Sequence, residues 1–157
     1  MSDNIRIWVE IDHQPTHRAG GWAYLLAEGS ARLGAAGGER SAGPERIALA
    51  GLVAALKAAP ARASVIVHSA SPALLAVPKR LAAADTEPPS ADLDLWAPLS
   101  QALATRQVRF AAATAAPRSP GAFAAAWAEL ARDKAKTKPF GAVIPKANLM
   151  KVALPVA

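Results

Sequence analysis

Residues 5–26 read IRIWVEIDHQPTHRAGGWAYLL, and this stretch decides the fold. Between Ile5 and Ile11, aliphatic side chains occupy every second position, and charged or aromatic side chains occupy the positions between them. Such alternation predicts a β-strand with one apolar face. Pro15 and its polar neighbours predict a loop, and Gly20-Gly21 precedes a second apolar run. The stretch therefore predicts two strands joined by a short loop.

The rest of the chain alternates between strands and helices. A third strand is expected to begin at 31–33, before a glycine-rich stretch over 34–43 for which we expect no regular structure. Beyond it, apolar periodicity predicts helices over 45–59, 72–82, 93–105 and 120–136, and strands over 64–68 and 107–112. Strands separated by helices need crossover connections and pair in parallel. We therefore expect an α/β fold in which a five-stranded sheet combines an antiparallel meander with parallel strands and carries helices on both faces.

Composition limits the class of protein. A chain of 157 residues is long enough for one domain with its own core. The absence of cysteine excludes disulfides and cysteine-based zinc sites. The first residues, Met1 to Asn4, lack the basic start and apolar run of a signal peptide, and no apolar run approaches the length that spans a membrane. We therefore expect a cytoplasmic protein with no membrane partner.

The last twenty residues differ from the rest. Residues 138–157 predict an extended apolar tail that follows a domain over 1–137. An isolated tail of this kind would expose a sticky surface. Either it packs on its own domain as an added edge strand, or it docks on a protein partner. The residues that would make the docking contact are Phe140, Val143, Ile144, Leu149, Met150, Val152 and Leu154.

The charge is basic and uneven. Lys and Arg total 18 against 12 Asp and Glu, a net charge of +6, which attracts nucleic acid, anionic lipid and acidic proteins alike. Several cations crowd the end of the last predicted helix. The simplest interpretation is a solvated helix end, and the alternative is a surface for phosphates. The candidate nucleic-acid contacts are Arg18, Arg132, Lys134, Lys136 and Lys138.

Five short motifs follow one another in an order that resembles a known family. A strand ending at Glu10 precedes Gly20-Gly21-Trp22, and the other four motifs are Arg46-Ile47-Ala48-Leu49, the strand Val65 to Ser71, Asp94-Leu95-Trp96 followed by Val108-Arg109-Phe110, and Ala128-Glu129-Leu130-Ala131. Their order and spacing resemble type 1 ribonuclease H over residues 5–136. The resemblance implies a ribonuclease H-like fold.

The resemblance also implies a four-carboxylate site, and here this chain departs from the family. Ribonuclease H clamps the scissile phosphate with two divalent cations held by four acidic side chains. Carried over residue by residue, the four relic positions are Glu10, Ala48, Ala70 and Ala128, so only one remains acidic. Residues 111–121 contain no histidine where the family has one, and residues 82–94 contain no Lys or Arg where the family has a basic segment.

These departures predict a protein that is not an enzyme and needs no cofactor. The first hypothesis is a catalytically inactive ribonuclease H-like adaptor, or an accessory subunit that binds a protein partner within a larger complex. The alternative is a pseudo-ribonuclease that binds nucleic acid without cutting it. A third hypothesis is a rebuilt metal site at Glu10, Asp12 and His68, since His and carboxylates suit a transition metal. Against that hypothesis stands a simpler expectation, a hydrogen bond between Glu10 and His68.

Overall fold

A computed structural model of the protein describes residues 4–16 and 18–155, with Asn4 described by its backbone alone. Met1 to Asp3, which belong to the stretch that lacks the features of a signal peptide, lie outside the described residues, as do the last two residues of the tail. Across the described residues, one sheet contains the strands β1 (Asn4–Gln14), β2 (Ala19–Glu28), β3 (Ala31–Arg40), β4 (Ser64–Ser69), β5 (Gln107–Ala112) and β6 (Phe140–Val143). The helices are α1 (Pro44–Ala58), α2 (Pro72–Leu75), α3 (Val77–Ala82), α4 (Leu93–Ala104), α5 (Pro120–Ala135) and α6 (Lys146–Leu149).

The strand order is β5-β4-β1-β2-β3-β6. β1, β2 and β3 form an antiparallel meander, while β4 pairs in parallel with both β1 and β5. The predicted α/β fold with a mixed sheet is confirmed. The prediction of five strands is wrong, because residues of the expected tail pair with Ala35–Gly38 of β3 and form the sixth strand. The tail is also not extended throughout, since α6 follows β6.

The glycine-rich stretch is not the irregular segment that the sequence predicted, because most of it belongs to β3. Its glycines lie where neighbouring atoms come close. A Cβ at Gly38 would lie 2.7 Å from the carbonyl oxygen of Ala131 in α5, and one at Gly37 would overlap the ring of Trp22. Glycine here permits close packing against a helix and an indole ring.

The sheet buries its two faces in different ways. On one face, Ile5, Ile7 and Val9 of β1 pack against the leucines of α1 in a large aliphatic cluster. On the other face, α5 covers β1 and β2, and the buried contacts come from alanines such as Ala23 and Ala128 together with a cluster around Trp8. Within residues 4–16 and 18–155, no helix has the length and apolar character that crossing a bilayer requires.

Candidate functional site

Glu10 lies near the end of β1 on the face covered by α5, and only 4% of it is exposed. Two groups at the end of β4 hold its carboxylate. The hydroxyl of Ser69 donates to Oε1 at 3.2 Å, and the backbone N–H of Ala70 donates to Oε2 at 2.9 Å. The Ser69 oxygen accepts in turn from the backbone N–H of Ser71 at 3.0 Å. Both carboxylate oxygens are therefore engaged by the protein.

The environment of Glu10 disfavours its charged form. Burial raises the pKa of Glu10 above its ordinary value of 4.5, and the hydrogen bonds from Ala70 and Ser69 act in the opposite direction with less effect. A carboxyl group in this position loses its proton less readily than one in water. It is also a poorer ligand for a hard cation than a charged, exposed carboxylate would be.

The other three relic positions contribute no ligand atom from a side chain. Ala48 is fully buried in α1 within the aliphatic cluster. Ala70 is exposed and reaches Glu10 only through its backbone N–H. Ala128 is fully buried on α5, where its carbonyl oxygen lies against Gly21.

The α5 residue beside the carboxylate is Gly121, about two helical turns before Ala128. A Cβ built on Gly121 would lie 3.5 Å from Oε2 of Glu10. The sequence pattern placed the fourth relic position at Ala128, and nothing in the pattern singled out Gly121. At either position α5 offers no carboxylate to a cation near Glu10.

A pair of divalent cations does not fit these residues. Magnesium and its relatives need several oxygen ligands, and two of them beside a phosphate need several carboxylates. The pocket provides one carboxyl group, which is buried and already hydrogen-bonded on both oxygens. In the part of the chain that the structure describes, no group of three or more His, Asp or Glu side chains could hold a metal ion.

Asp12 and His68, which the sequence offered as metal ligands with Glu10, lie in separate interactions. Asp12 accepts from Arg132 Nη1 at 2.7 Å. The ring of His68 stacks on Trp8 with centroids 4.9 Å apart, and its Nε2 accepts from Arg6 Nε at 3.3 Å. The predicted hydrogen bond between Glu10 and His68 is wrong, because the Glu10 carboxylate accepts its hydrogen bonds from Ser69 and Ala70.

The surroundings of His68 favour its neutral form. Burial lowers its pKa below the ordinary value of 6.5, and the positive charges of Arg6 and Arg109 lower it further. A neutral ring has one nitrogen that can accept, which agrees with the bond from Arg6. The result is a fixed stack of three side chains, since the Arg6 guanidinium lies 4.6 Å from the centre of the Trp8 ring.

The predicted basic cluster at the end of α5 is partly neutralised. Arg132 pairs with Asp12 and Asp133, and Lys136 pairs with Asp133 at 3.3 Å. Lys134, Lys138 and Arg18 are exposed. Three of the five predicted cations are thus available to solvent, and the other two support the fold.

A second basic region was missed by the sequence analysis. Arg6, Arg118 and Lys151 line a groove between the loop before α5 and the end of the chain. They come from three separate parts of the sequence, and no local cluster marks them. They come together because the tail packs against β1, where Arg6 bonds to Pro155 and Trp8 packs in the cluster that includes Val152.

The tail packs on its own domain, which is one of the two alternatives that the sequence left open. Ile144, Leu149 and Val152 are buried, and Phe140 and Leu154 are partly buried against the same face of the sheet. Among the predicted docking residues, Val143 and Met150 are the exposed pair, at 80% and 49%.

Arg32 connects the tail to the sheet through hydrogen bonds. Arg32 Nη1 donates to the carbonyl oxygens of Leu149 at 3.0 Å and Val152 at 2.7 Å. Because the guanidinium of Arg32 extends from β3, it holds the chain after α6 against the edge of the meander. Most of the apolar side chains that suggested docking are therefore fully or partly buried against the protein's own sheet and α5.

No protein-family model and no curated protein matches this chain. Among solved structures, it is similar to a type 1 ribonuclease H that has the type 2 active-site motif, with a TM-score of 0.73, 15% identity, and coverage of 99% of this chain and 88% of the other. It is also similar to ribonuclease H1 from the halophilic archaeon Halobacterium salinarum NRC-1, with a TM-score of 0.58, 20% identity, and coverage of 83% and 98%. The N-terminal ribonuclease H domain of a Mycobacterium tuberculosis protein has a TM-score of 0.55, 15% identity, and coverage of 87% and 98%. The chain therefore has the ribonuclease H-like fold.

Proposed function

We propose that this protein is a catalytically inactive ribonuclease H-like protein that binds nucleic acid without cleaving it. The observation that carries the proposal is the state of Glu10, a single carboxyl group that is buried and hydrogen-bonded on both oxygens. A two-cation hydrolysis needs several acidic ligands around the scissile phosphate. The side chains at Ala48, Ala70, Gly121 and Ala128 cannot provide them.

The distribution of ion pairs supports an anionic partner. Of the 18 Lys and Arg side chains, only Arg46, Arg80, Arg132 and Lys136 form salt bridges within the described part of the chain, which leaves 14 without one. The same bridges occupy six of the 12 carboxylates, and Glu10 is buried. The bridged groups, four cations and six carboxylates, carry a net charge of −2, so the positive excess of the protein lies on the cations outside these bridges, and such groups attract a phosphate backbone.

A cleavage and retention assay on the purified full chain tests the proposal. An RNA–DNA hybrid is incubated with the protein and Mg²⁺ or Mn²⁺, and both strand length and complex formation are measured. We expect an intact RNA strand, a complex that weakens steeply as salt increases, and the same behaviour from Glu10→Gln. Hydrolysis that Glu10→Gln abolishes, or a chain that retains neither hybrid nor single strands at low salt, contradicts the proposal.

The second candidate function is the protein-binding adaptor or accessory subunit, and one observation favours it. β6 is an edge strand with Val143 80% exposed, and beside it lies an apolar groove of about 540 Å³ that includes Leu33, itself 52% exposed. An exposed strand edge beside apolar side chains can accept a strand from another protein.

Affinity purification from the native cell, after nuclease treatment, tests the adaptor function. The bait is the full chain, compared with Val143→Asp and with the control Leu93→Asp, which changes another exposed apolar residue, on α4. The adaptor function predicts a stoichiometric protein that Val143→Asp loses and Leu93→Asp keeps. Identical recovery with all three baits rules out this edge as the docking site.

A further inference from the structure

A groove on the α5 side of the sheet lies between the loop that precedes α5 and the end of the chain. It consists of two adjoining cavities of about 380 and 480 Å³. Both are lined by Arg118, Ser119 and Ala153, so the two cavities share a common border. Glu10 lines neither cavity, although Thr114 of the first cavity and the Glu10 carboxylate both lie beside Gly121.

Three cations line the groove among mostly apolar and small polar residues. Arg6 and Arg118 line the first cavity, and Arg118 and Lys151 line the second. No Asp or Glu is among the described residues that line either cavity, and none of the three cations belongs to a described salt bridge. Three cations with no carboxylate among the described lining residues favour an anion in the groove.

The groove is held in shape before any ligand arrives. Arg6 donates through Nη1 to the carbonyl oxygen of Pro155 at 2.9 Å and through Nε to His68 at 3.3 Å, so it ties the end of the chain to β4. Ser119 caps α5 by accepting from the N–H of Ala122 at 3.1 Å, which fixes the opposite wall. The N-terminus of the 16-residue helix α5 adds partial positive charge beside Arg118.

Apolar and aromatic groups also line both cavities. Trp8 and His68 form the floor of the first cavity, and Phe123, which is half-buried, lines the second. Proteins that bind single strands combine a positive groove for the backbone with rings on which bases stack. A depression walled on both sides by chain segments admits one strand more readily than a duplex.

We propose that this groove binds a single nucleic-acid strand, with Arg118 and Lys151 each contacting a phosphate and Phe123 packing against a base. The inference rests on the proposed function, because it names the surface through which the protein binds nucleic acid. It assigns that surface to residues 153–155 and the loop before α5, beside the site of Glu10 but without Glu10 in its lining. Arg118 and Lys151 are both exposed, so they can reach a ligand without rearrangement of the fold.

The test uses fluorescence anisotropy of the full chain with a labelled oligothymidylate of about 12 nucleotides, within the range that such sites cover. The binding constant is measured across salt concentrations for the wild type and for the double variant Arg118→Gln/Lys151→Gln. The control, Lys57→Gln/Lys79→Gln, removes the same charge from exposed positions on α1 and α3. Thermal unfolding of all three proteins checks that the fold is retained.

We expect the groove variant to bind more weakly and to lose about 1.4 from the slope of log K against log salt, since each single-strand phosphate contact contributes roughly 0.7. The control keeps the wild-type slope. Equal slopes for groove and control variants overturn the groove while the wild type still retains nucleic acid, so the proposed function survives. Competition by thymidine monophosphate as strong as by the strand overturns strand binding in favour of a free nucleotide. A wild type that retains neither strand nor hybrid removes both proposals.

Discussion

The two faces of the sheet are built on opposite principles. The face under α1 is filled by large aliphatic side chains, with Leu49, Leu52 and Leu56 fully buried against β1. The face under α5 has little bulk in its centre, where Ala23 and Ala36 meet Ala128 and Ala131. Gly21 and Gly38 let the backbone of α5 approach the strands closely.

This difference predicts that the two faces respond differently to substitution. The α1 face gains its stability from buried area, which tolerates change in shape better than loss of volume. The α5 face depends on close backbone approach, and it carries the polar features of the molecule: Glu10, the stack of Arg6 on Trp8, and the cationic groove. Loss of volume should therefore harm the first face most, and added volume the second.

The largest effect is expected from Leu52→Ala on the α1 face. Leu52 is fully buried, so removing its side chain loses buried area and leaves a cavity. We expect the free energy of unfolding to fall by about 3 kcal/mol. Urea denaturation followed by circular dichroism measures this change. A loss below about 1 kcal/mol would show that the aliphatic face does not dominate the stability.

Gly21→Ala tests the α5 face in the opposite direction. The added methyl would overlap the carbonyl oxygen of Ala128 and the backbone nitrogen of Arg132, and a helix backbone cannot move aside cheaply. We expect a loss of about 2 kcal/mol. Gly141→Ala is the matched control, because a Cβ on this β6 glycine meets nothing within 4 Å, and it should change stability by less than about 0.5 kcal/mol. Equal effects of the two substitutions in the same urea experiment would refute close packing as the principle of this face.

Arg32→Met tests how much the attachment of the tail contributes to the stability of the α5 face. The substitution removes two hydrogen bonds from a charged donor to carbonyls of the tail. We expect a loss of about 1.5 kcal/mol and faster amide hydrogen exchange over 144–154 than elsewhere. Arg40→Met, which loses a single bond of 3.3 Å to Thr137, should have the smaller effect. Unchanged exchange in the tail of Arg32→Met would mean that other contacts hold it.

The smallest effect is expected from Glu10→Gln. Since burial raises the pKa of Glu10 in the folded chain, the folded chain binds this proton more tightly than the unfolded one. Its contribution to stability therefore decreases as pH rises from 4.5, the ordinary value, through the raised pKa. The glutamine does not titrate and keeps an acceptor for the Ala70 N–H, so it should gain on the wild type as pH rises toward 7. Parallel pH profiles of unfolding for the two proteins would contradict the raised pKa.

The sequence predicted the α1 face well, and the reason is physical. Alternation in β1 and the spacing of leucines in α1 are local patterns that large side chains impose. The helix predicted over 45–59 is α1, which spans Pro44–Ala58. The α5 face left weaker signals, because small residues such as Ala36 and Gly38 resemble those of a loop in sequence, and only the structure shows that they lie against α5.

The candidate site was predictable only in part. Glu10 was identified as the single carboxylate of its pocket, but its partners Ser69 and Ala70 were not, because a choice among neighbouring groups on β4 depends on geometry. The groove could not be predicted from the sequence, because its lining residues are far apart in the chain. Arg6 and Pro155, for example, are joined by a hydrogen bond across 149 positions. The docking role expected of the tail was inferred from its exposed apolar character, which pairing with β3 largely removes.

Counting bound Mn²⁺ tests the central claim most directly, because it examines the carboxylate pocket itself and is insensitive to traces of a contaminating nuclease. Water-proton relaxation of the full chain is titrated with Mn²⁺ in the presence and absence of an RNA–DNA hybrid, for the wild type and Glu10→Gln. The account predicts that the two proteins give the same titration, with no Mn²⁺ bound through Glu10. Two Mn²⁺ ions per chain that disappear in Glu10→Gln would contradict it.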